Sequence, residues 1–329
     1  MARIGIVGGG AWGSALALVA SRAGNQALIW ARETDVVEAI NARHENPRFL
    51  PDVALDPAIG ATGELAALTA CDLIAMVAPA QHVRAVATRL GESGAGVPPL
   101  LICAKGIEQA SGLLMSEVLE EALPDTRIAV LSGPTFAREV ALGKPTAVTV
   151  AATDQALAER MASVFGGRSF RPYVSDDPVG AQIGGAVKNV LAIAAGIAIG
   201  RGLGENARAA LITRGFAELS RLALKKGARL ETLGGLSGLG DLVLTCTSAQ
   251  SRNYALGKAL GEGTTLAAHL AGRDSVAEGA ASAPAVLSLA ERLGVELPIA
   301  RAVDAVLYKG AAIDEAVGAL LARPFKAEA

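Results

Sequence analysis

The chain has 329 residues and a formal net charge of −2, and 51% of its residues are hydrophobic while only 3% are aromatic. That length accommodates two domains with cores built from Ala, Val, Leu and Ile. The near-neutral balance excludes a general binder of nucleic acid or of anionic membranes, so any anion must be met by a few locally placed cations.

In chain order, RIGIVG reads as a buried strand, AWGSALALVASRAG as a helix that stops at Gly24, and QALIWAR as a second strand. Gly8, Gly10 and Gly13 form G-x-G-x-x-G at the first strand-to-helix junction. In that setting Gly8 makes a tight turn, Gly10 admits a pyrophosphate close to the backbone, and Gly13 lets the helix pack on the sheet. The helix N-terminus then stabilises the anion. At the end of the second strand, where a dinucleotide site distinguishes its ribose, stand Ala31, Arg32 and Glu33. Arg32 suits a 2′-phosphate and favours NADPH, whereas Glu33 is the only acid placed to favour NADH.

Further strands read as DLIAMVAP, PLLICAKG, RIAVLSG and TAVTVAA, each separated by a helical pattern. Continuous apolar runs joined by crossovers predict a parallel sheet covered by helices on both faces. Ligands bind beyond the carboxyl ends of such strands, which are Gly8, Arg32, Ala78-Pro79, Lys105 and Ser132-Gly133. Thr135 follows, placed to cap the FAREVA helix and leave free N–H groups for an oxyanion.

Beyond Pro178 the strand patterns cease, and helices are expected over 178–200, 205–226, 251–261, 276–292, 298–307 and 311–321. The fold class is therefore α/β: a Rossmann-type parallel-sheet domain over 1–177, then an all-helical domain over 178–329. The stretch GGAVKNVLAIAAGIAIG carries a single charge, Lys188. Two readings stand: a lysine that snorkels to the surface, or an active group on a dry wall. The run nears membrane-span length, but Gln182, Lys188 and Asn189 near its middle favour a buried helix without membrane insertion. Further on, LGDLVLTCTSAQSRN presents Asp241, and Ser251, Arg252 and Asn253 open the next helix. That opening reads as a phosphate site or as an ordinary N-cap beside an exposed arginine.

Cys71, Cys103 and Cys246 are scattered, with no CxxC and no Cys/His ligand spacing, which points to core packing, a reducing compartment and no metal. The start MARIGIVGGG lacks the long apolar core of a secretion signal, so a cytoplasmic location is expected. His44, His82 and His269 form no catalytic or metal-like arrangement.

The strings GGGAWGSALA, AKGIE, LSGPTFARE, GGAVKNVLAIAAG, NARAALITRG, GLGDLVLTCTSAQSRN and VAEG occur in this order over nearly the whole chain. In them the chain resembles the soluble bacterial NAD(P)-dependent glycerol-3-phosphate dehydrogenases. The resemblance implies reduction of dihydroxyacetone phosphate to sn-glycerol 3-phosphate by NADPH or NADH, supplying phospholipid synthesis. It puts the proton-transfer lysine on Lys188 and the substrate contacts on Lys105, Gly133, Thr135, Asp241, Ser251, Arg252 and Asn253. It puts the cofactor contacts on Ala11, Trp12, Arg32, Lys105, Ala137, Arg252, Val276 and Glu278. Ala11 departs from a frequent serine, and Tyr254 from a frequent basic residue.

On this reading Asp241 orients the Lys188 ammonium, burial and the Lys105 cation lower its pKa, and Gly184 and Gly185 leave room for substrate. The partners expected are a phosphorylated small molecule and, from the apolar helical half, a second copy of the chain as a homodimer. Competing readings are a keto-acid reductase, which binds a carboxylate in place of the phosphate, and an NADP-sensing module. The module has no need of Lys105, Lys188 and Asp241 together.

Overall fold

The computed structural model describes residues 1–94, 96–271 and 277–324. In the first half the strands are β1 (Arg3–Val7), β2 (Gln26–Trp30), β3 (Glu45–Asn46), β4 (Leu50–Ala54), β5 (Ile59–Thr62), β6 (Leu73–Met76), β7 (Leu100–Ile102), β8 (Ile128–Ser132), β9 (Thr146–Ala151) and β10 (Phe170–Ser175). Between them lie helices α1 (Ala11–Arg22), α2 (Thr34–Arg43), α3 (Val83–Gly91), α4 (Met115–Ala122), α5 (Ala137–Ala141) and α6 (Gln155–Phe165). One eight-stranded sheet has the order β10-β9-β8-β7-β6-β1-β2-β5, and β3 pairs with β4 as a separate hairpin. The apolar runs are buried on both faces: Ile4, Ile6, Leu73, Ile74, Leu100 and Leu101 are fully inside.

The sheet departs from the expected all-parallel arrangement at one place. β9 runs antiparallel to β8, and β10 is parallel to β9. The cause is α5, whose five residues span only about 7.5 Å. A six-residue strand is about 20 Å long, so α5 cannot carry the chain back along the sheet. The chain re-enters from the end it left. Thr135 also differs from expectation: α5 is N-capped by Phe136 without a side-chain bond, and the Thr135 hydroxyl donates to the Gly133 carbonyl at 3.3 Å.

The second half is helical among its described residues: α7 (Pro178–Gly200), α8 (Gly204–Lys225), α9 (Leu230–Gly234), α10 (Asp241–Thr247), α11 (Arg252–Gly261), α12 (Leu266–Leu270), α13 (Glu278–Arg292), α14 (Pro298–Tyr308) and α15 (Ile313–Leu321). Sequence periodicity does not mark α9, α10, α12 or the π-helical turn Leu236–Gly240 between α9 and α10. α7 begins three residues after Ser175, with Pro178 at its first turn and the Asp177 carboxylate accepting from the Gly180 N–H. It has the length and apolarity of a membrane span, but 89% of its apolar window is buried by protein. A ring of other helices supplies that cover.

Helices α7 and α11 meet through glycine. A Cβ on Gly257 would lie 2.0 Å from the Ile193 carbonyl oxygen, and one on Gly200 would lie 2.2 Å from that of Lys258. Backbone therefore rests on backbone, which fixes the start of α11 relative to Lys188. The three cysteines are free and buried, as packing roles require.

Candidate active site

The glycine loop is built as its pattern predicts. Gly8 has φ +122°, where a side chain is strained, and a Cβ on Gly13 would lie 1.9 Å from the Gly8 carbonyl oxygen. Gly10 is the N-cap of α1, and nothing lies within 4 Å of where its Cβ would be. Ala11 and Trp12 form the first turn, half-buried against the sheet. A loop shut at Gly13 and open at Gly10, on a helix N-terminus without an acidic residue in its first turn, fits the pyrophosphate of a dinucleotide.

Sequence reasoning missed the strap on this loop. Asn46 is fully buried, and its amide donates to the Gly9 carbonyl at 2.7 Å and to the Ser14 hydroxyl at 2.8 Å. The Asn-Pro pair at 46–47 signalled only a turn. Arg32 stands exposed just past β2, its guanidinium 3.1 Å from Glu33. Its side chain is 80% exposed.

Lys105 leaves the end of β7, and Gly133 follows β8 with φ +143°. Lys188 lies on α7 and Asp241 opens α10. These four meet. Asp241 is fully buried; its Oδ1 accepts from the Lys188 ammonium at 2.5 Å, and its Oδ2 accepts from that of Lys105 at 2.7 Å. Lys105 also donates to the Gly133 carbonyl at 2.8 Å. The Thr245 hydroxyl, one helical turn after Asp241, accepts a second hydrogen bond from the Lys188 ammonium at 3.1 Å and donates to the Asp241 backbone carbonyl at 2.6 Å. An i, i+4 spacing from an acid on a helix was the available signal for it. Each ammonium has three N–H donors, and among the described residues two are engaged in each case, which leaves one on each.

Lys188 is 6% exposed, which rules out the snorkelling reading. Burial lowers its pKa to about 8, assisted by the neighbouring Lys105 cation and opposed by Asp241. Gly184 and Gly185 serve a different purpose from the room for substrate expected of them. A Cβ on Gly184 would lie 2.3 Å from the Ser237 carbonyl oxygen, and one on Gly185 would lie 3.2 Å from the Lys105 Cγ. They let the π-helical turn and the Lys105 stem pack against α7, which brings the two lysines to one carboxylate.

At the start of α11, Ser251 caps the helix by accepting from the Tyr254 N–H at 3.2 Å. The Arg252 side chain is exposed and has no hydrogen bond to any described residue. Asn253 is buried, donating to the Asn189 side chain at 3.0 Å and accepting from the Gly279 N–H at 2.9 Å. It ties α11 to the residue beside Lys188 and to the first turn of α13. Glu278 opens that turn. Burial raises its pKa against the attraction of Arg252, Lys188 and Lys105, so it shares their field. Tyr254, where a basic residue was the alternative, is buried in the helical core. Ala137 is the first residue of α5. Val276 lies outside the described residues. Among those described, no group of three His, Cys, Asp or Glu side chains is arranged to hold a metal ion.

Residues 3–158 match the family model for the NAD-dependent glycerol-3-phosphate dehydrogenase N-terminus, and residues 177–318 match that for the C-terminus. The chain belongs to the NAD-dependent glycerol-3-phosphate dehydrogenase family. The glycerol-3-phosphate dehydrogenase (NAD(P)+) of Caulobacter vibrioides is 56% identical over 327 residues, covering 99% of both chains. That of Parvibaculum lavamentivorans is 55% identical over 326 residues, covering 99% of this chain and 98% of its own. The crystal structure of a Coxiella burnetii glycerol-3-phosphate dehydrogenase superposes with a TM-score of 0.94 at 38% identity, covering 98% of this chain and 99% of that one. The chain is therefore an NAD(P)-dependent oxidoreductase acting on a CH–OH group.

Proposed function

We propose that the chain reduces dihydroxyacetone phosphate to sn-glycerol 3-phosphate, with Lys188 as the proton-transfer residue. The observation that carries this reading is the Lys188–Asp241–Lys105 cluster, which keeps one unengaged N–H on each ammonium. Bound along the glycine loop, the nicotinamide cofactor supplies a hydride to the substrate carbonyl carbon. Lys188 donates its remaining N–H to the carbonyl oxygen, stabilises the negative charge that builds there, and gives up the proton. A pKa near 8 keeps the ammonium populated at neutral pH while making the proton easy to release. Asp241 compensates the buried charge and fixes its direction, and Lys105 holds the substrate from the opposite side.

Ser251, Arg252, Asn253 and the first N–H groups of α11 form the phosphate end, with Gly133 and Thr135 on the substrate's other flank. Anchoring the phosphate holds the carbonyl in a reactive position. Gly8, Gly10, Ala11, Trp12, Gly13, Ala137 and Glu278 surround the cofactor, and Arg32 pairs with the 2′-phosphate, which makes NADPH the preferred reductant. On this reading residues 1–177 carry the cofactor and 178–329 the substrate. The enzyme is cytoplasmic, feeds phospholipid synthesis, and pairs with a second copy of itself.

The test is an initial-rate assay with dihydroxyacetone phosphate, comparing NADPH with NADH and the phosphate ester with unphosphorylated dihydroxyacetone. Arg252→Ala at saturating NADPH is expected to damage use of the phosphate ester far more than use of dihydroxyacetone. Equal losses remove Arg252 from the phosphate site. Turnover with 2- or 3-keto acids but not with dihydroxyacetone phosphate overturns the whole reading.

A further inference from the structure

Asn46 stands at the end of β3, in the hairpin outside the eight-stranded sheet, yet its side chain is fully buried. Leu50 and Val53 of that hairpin sit in the same core as Ile4 and Leu16, which fixes the Asn46 backbone in place. Both amide protons and the amide oxygen are used. Nδ2 donates to the Gly9 carbonyl at 2.7 Å and to the Ser14 hydroxyl at 2.8 Å, and Oδ1 accepts from the Phe49 N–H at 3.2 Å. An asparagine that only closed its own turn would need the Phe49 bond alone. The two donated bonds cross to the glycine loop instead, and they land on either side of Gly10.

Three glycines in a row do not hold a peptide orientation by themselves, because glycine has access to both signs of φ. Here the surroundings hold it. A Cβ on Gly9 would lie 2.6 Å from the Ala31 Cβ and 3.2 Å from the Val36 Cγ1, so Gly9 is backed by the end of β2 and the start of α2. The Gly9–Gly10 peptide is trans, and in a trans peptide the N–H points opposite to the C=O. Fixing the Gly9 carbonyl on Asn46 therefore aims the Gly10 N–H away from the hairpin, where it has no hydrogen bond to any described residue. The other peptide of Gly10 is held too: its carbonyl accepts from the Ser14 N–H at 3.0 Å, and Asn46 grips the Ser14 hydroxyl.

We propose that Asn46 is a positioning residue for the cofactor: it presents the Gly10 N–H, beside the first N–H groups of α1, to the pyrophosphate. The proposal rests on the reading of the glycine loop as the cofactor site. A donor already aimed at its anion loses no freedom when the ligand arrives, so the strap acts on affinity. The pyrophosphate is common to NADPH and NADH, so Asn46 serves both equally, in contrast to Arg32 and the 2′-phosphate. Only an amide fits the place. An ionised aspartate has the same shape but no N–H, and it would set a carboxylate against the Gly9 carbonyl.

The test is titration calorimetry of the full chain with NADPH and with NADH, on the wild type, Asn46→Ala and Asn46→Asp, with Gly13→Ala as the reference for the loop. Asn46→Ala is expected to weaken both cofactors by the same factor, at least about tenfold. In initial rates the loss appears in KM for NADPH rather than in kcat. Asn46→Asp keeps the shape of the side chain and serves where the alanine variant does not fold. It is expected to lose at least as much at about pH 8 and to recover towards about pH 5.5, where a protonated carboxyl again has a proton to donate to Gly9. A side chain that only supports the hairpin lowers the melting temperature and leaves both Kd values in place. Folded Asn46 variants with Kd values within about twofold of wild type overturn the proposal, as does a loss confined to NADPH. If Gly13→Ala weakens binding where the Asn46 variants do not, the proposal falls and the glycine loop remains the cofactor site. If none of the three moves Kd, both fall.

Discussion

Replacing Asp241 with Asn removes one negative charge from between two ammonium groups while keeping the shape of the side chain. Asp241 contacts Lys188 at 2.5 Å and Lys105 at 2.7 Å and has no exposure to solvent. With about 4 Å between charge centres and an effective dielectric constant of about 20, each attraction is worth about 4 kcal/mol. At about 1.4 kcal/mol per pK unit, that holds the Lys188 pKa up by about 3 units. The Asn carbonyl recovers part of this, so the expected fall is about 2 units, from about 8 to about 6. Reduction requires the ammonium, so kcat/KM for dihydroxyacetone phosphate is flat below this pKa and falls as pH rises through it. At pH 7.5 about three-quarters of wild-type Lys188 is protonated but only about 3% in Asp241→Asn, so the variant loses about 25-fold there. It recovers towards pH 5.5. Oxidation of glycerol 3-phosphate, which needs the neutral amine, shows the opposite limb. The assay is the pH profile of kcat/KM, with circular dichroism as the control for folding. A folded variant whose midpoint lies within about half a unit of the wild type refutes the bridging role of Asp241.

Lys188→Met leaves Asp241 paired with Lys105, so it folds and binds NADPH with near-normal affinity by calorimetry. Its turnover falls at least about 10²-fold, the usual loss for a positioned general acid, and activity within a fewfold of wild type removes Lys188 from the mechanism. Arg32→Ala raises the apparent KM for NADPH by the equivalent of about 1.5–3 kcal/mol and leaves that for NADH nearly unchanged; equal effects on both cofactors defeat the 2′-phosphate assignment. Gly13→Ala drives a methyl group into the Gly8 carbonyl and costs about 1–3 kcal/mol of stability in a thermal melt. It also weakens NADPH binding at least about tenfold, and unchanged binding would show that the loop does not hold the pyrophosphate.

Local pattern was enough for much of this protein. The G-x-G-x-x-G loop, the buried strands around it and the helices α7, α8, α11, α13, α14 and α15 each follow from the spacing of apolar residues, glycine and proline within about a dozen neighbours. Lys188 stood out because it is the one charge in an apolar helix, and Ser251 because it precedes a helix start. The catalytic assignments themselves came from family resemblance over long motifs, which periodicity cannot supply. What tertiary structure alone decided is how distant parts meet. Lys105 and Lys188 find the same carboxylate across 136 and 53 residues, a pairing that no local pattern encodes. Gly184 was legible as small, but only the π-helical turn packed on it reveals why it must be. The reversal at β9 depended on the length of α5, and the strap by Asn46 on a side chain reaching back 37 residues to Gly9. Periodicity reports which face of an element is buried. It carries no information about which partner buries it, because that is set by the long-range packing and hydrogen bonding of the whole chain.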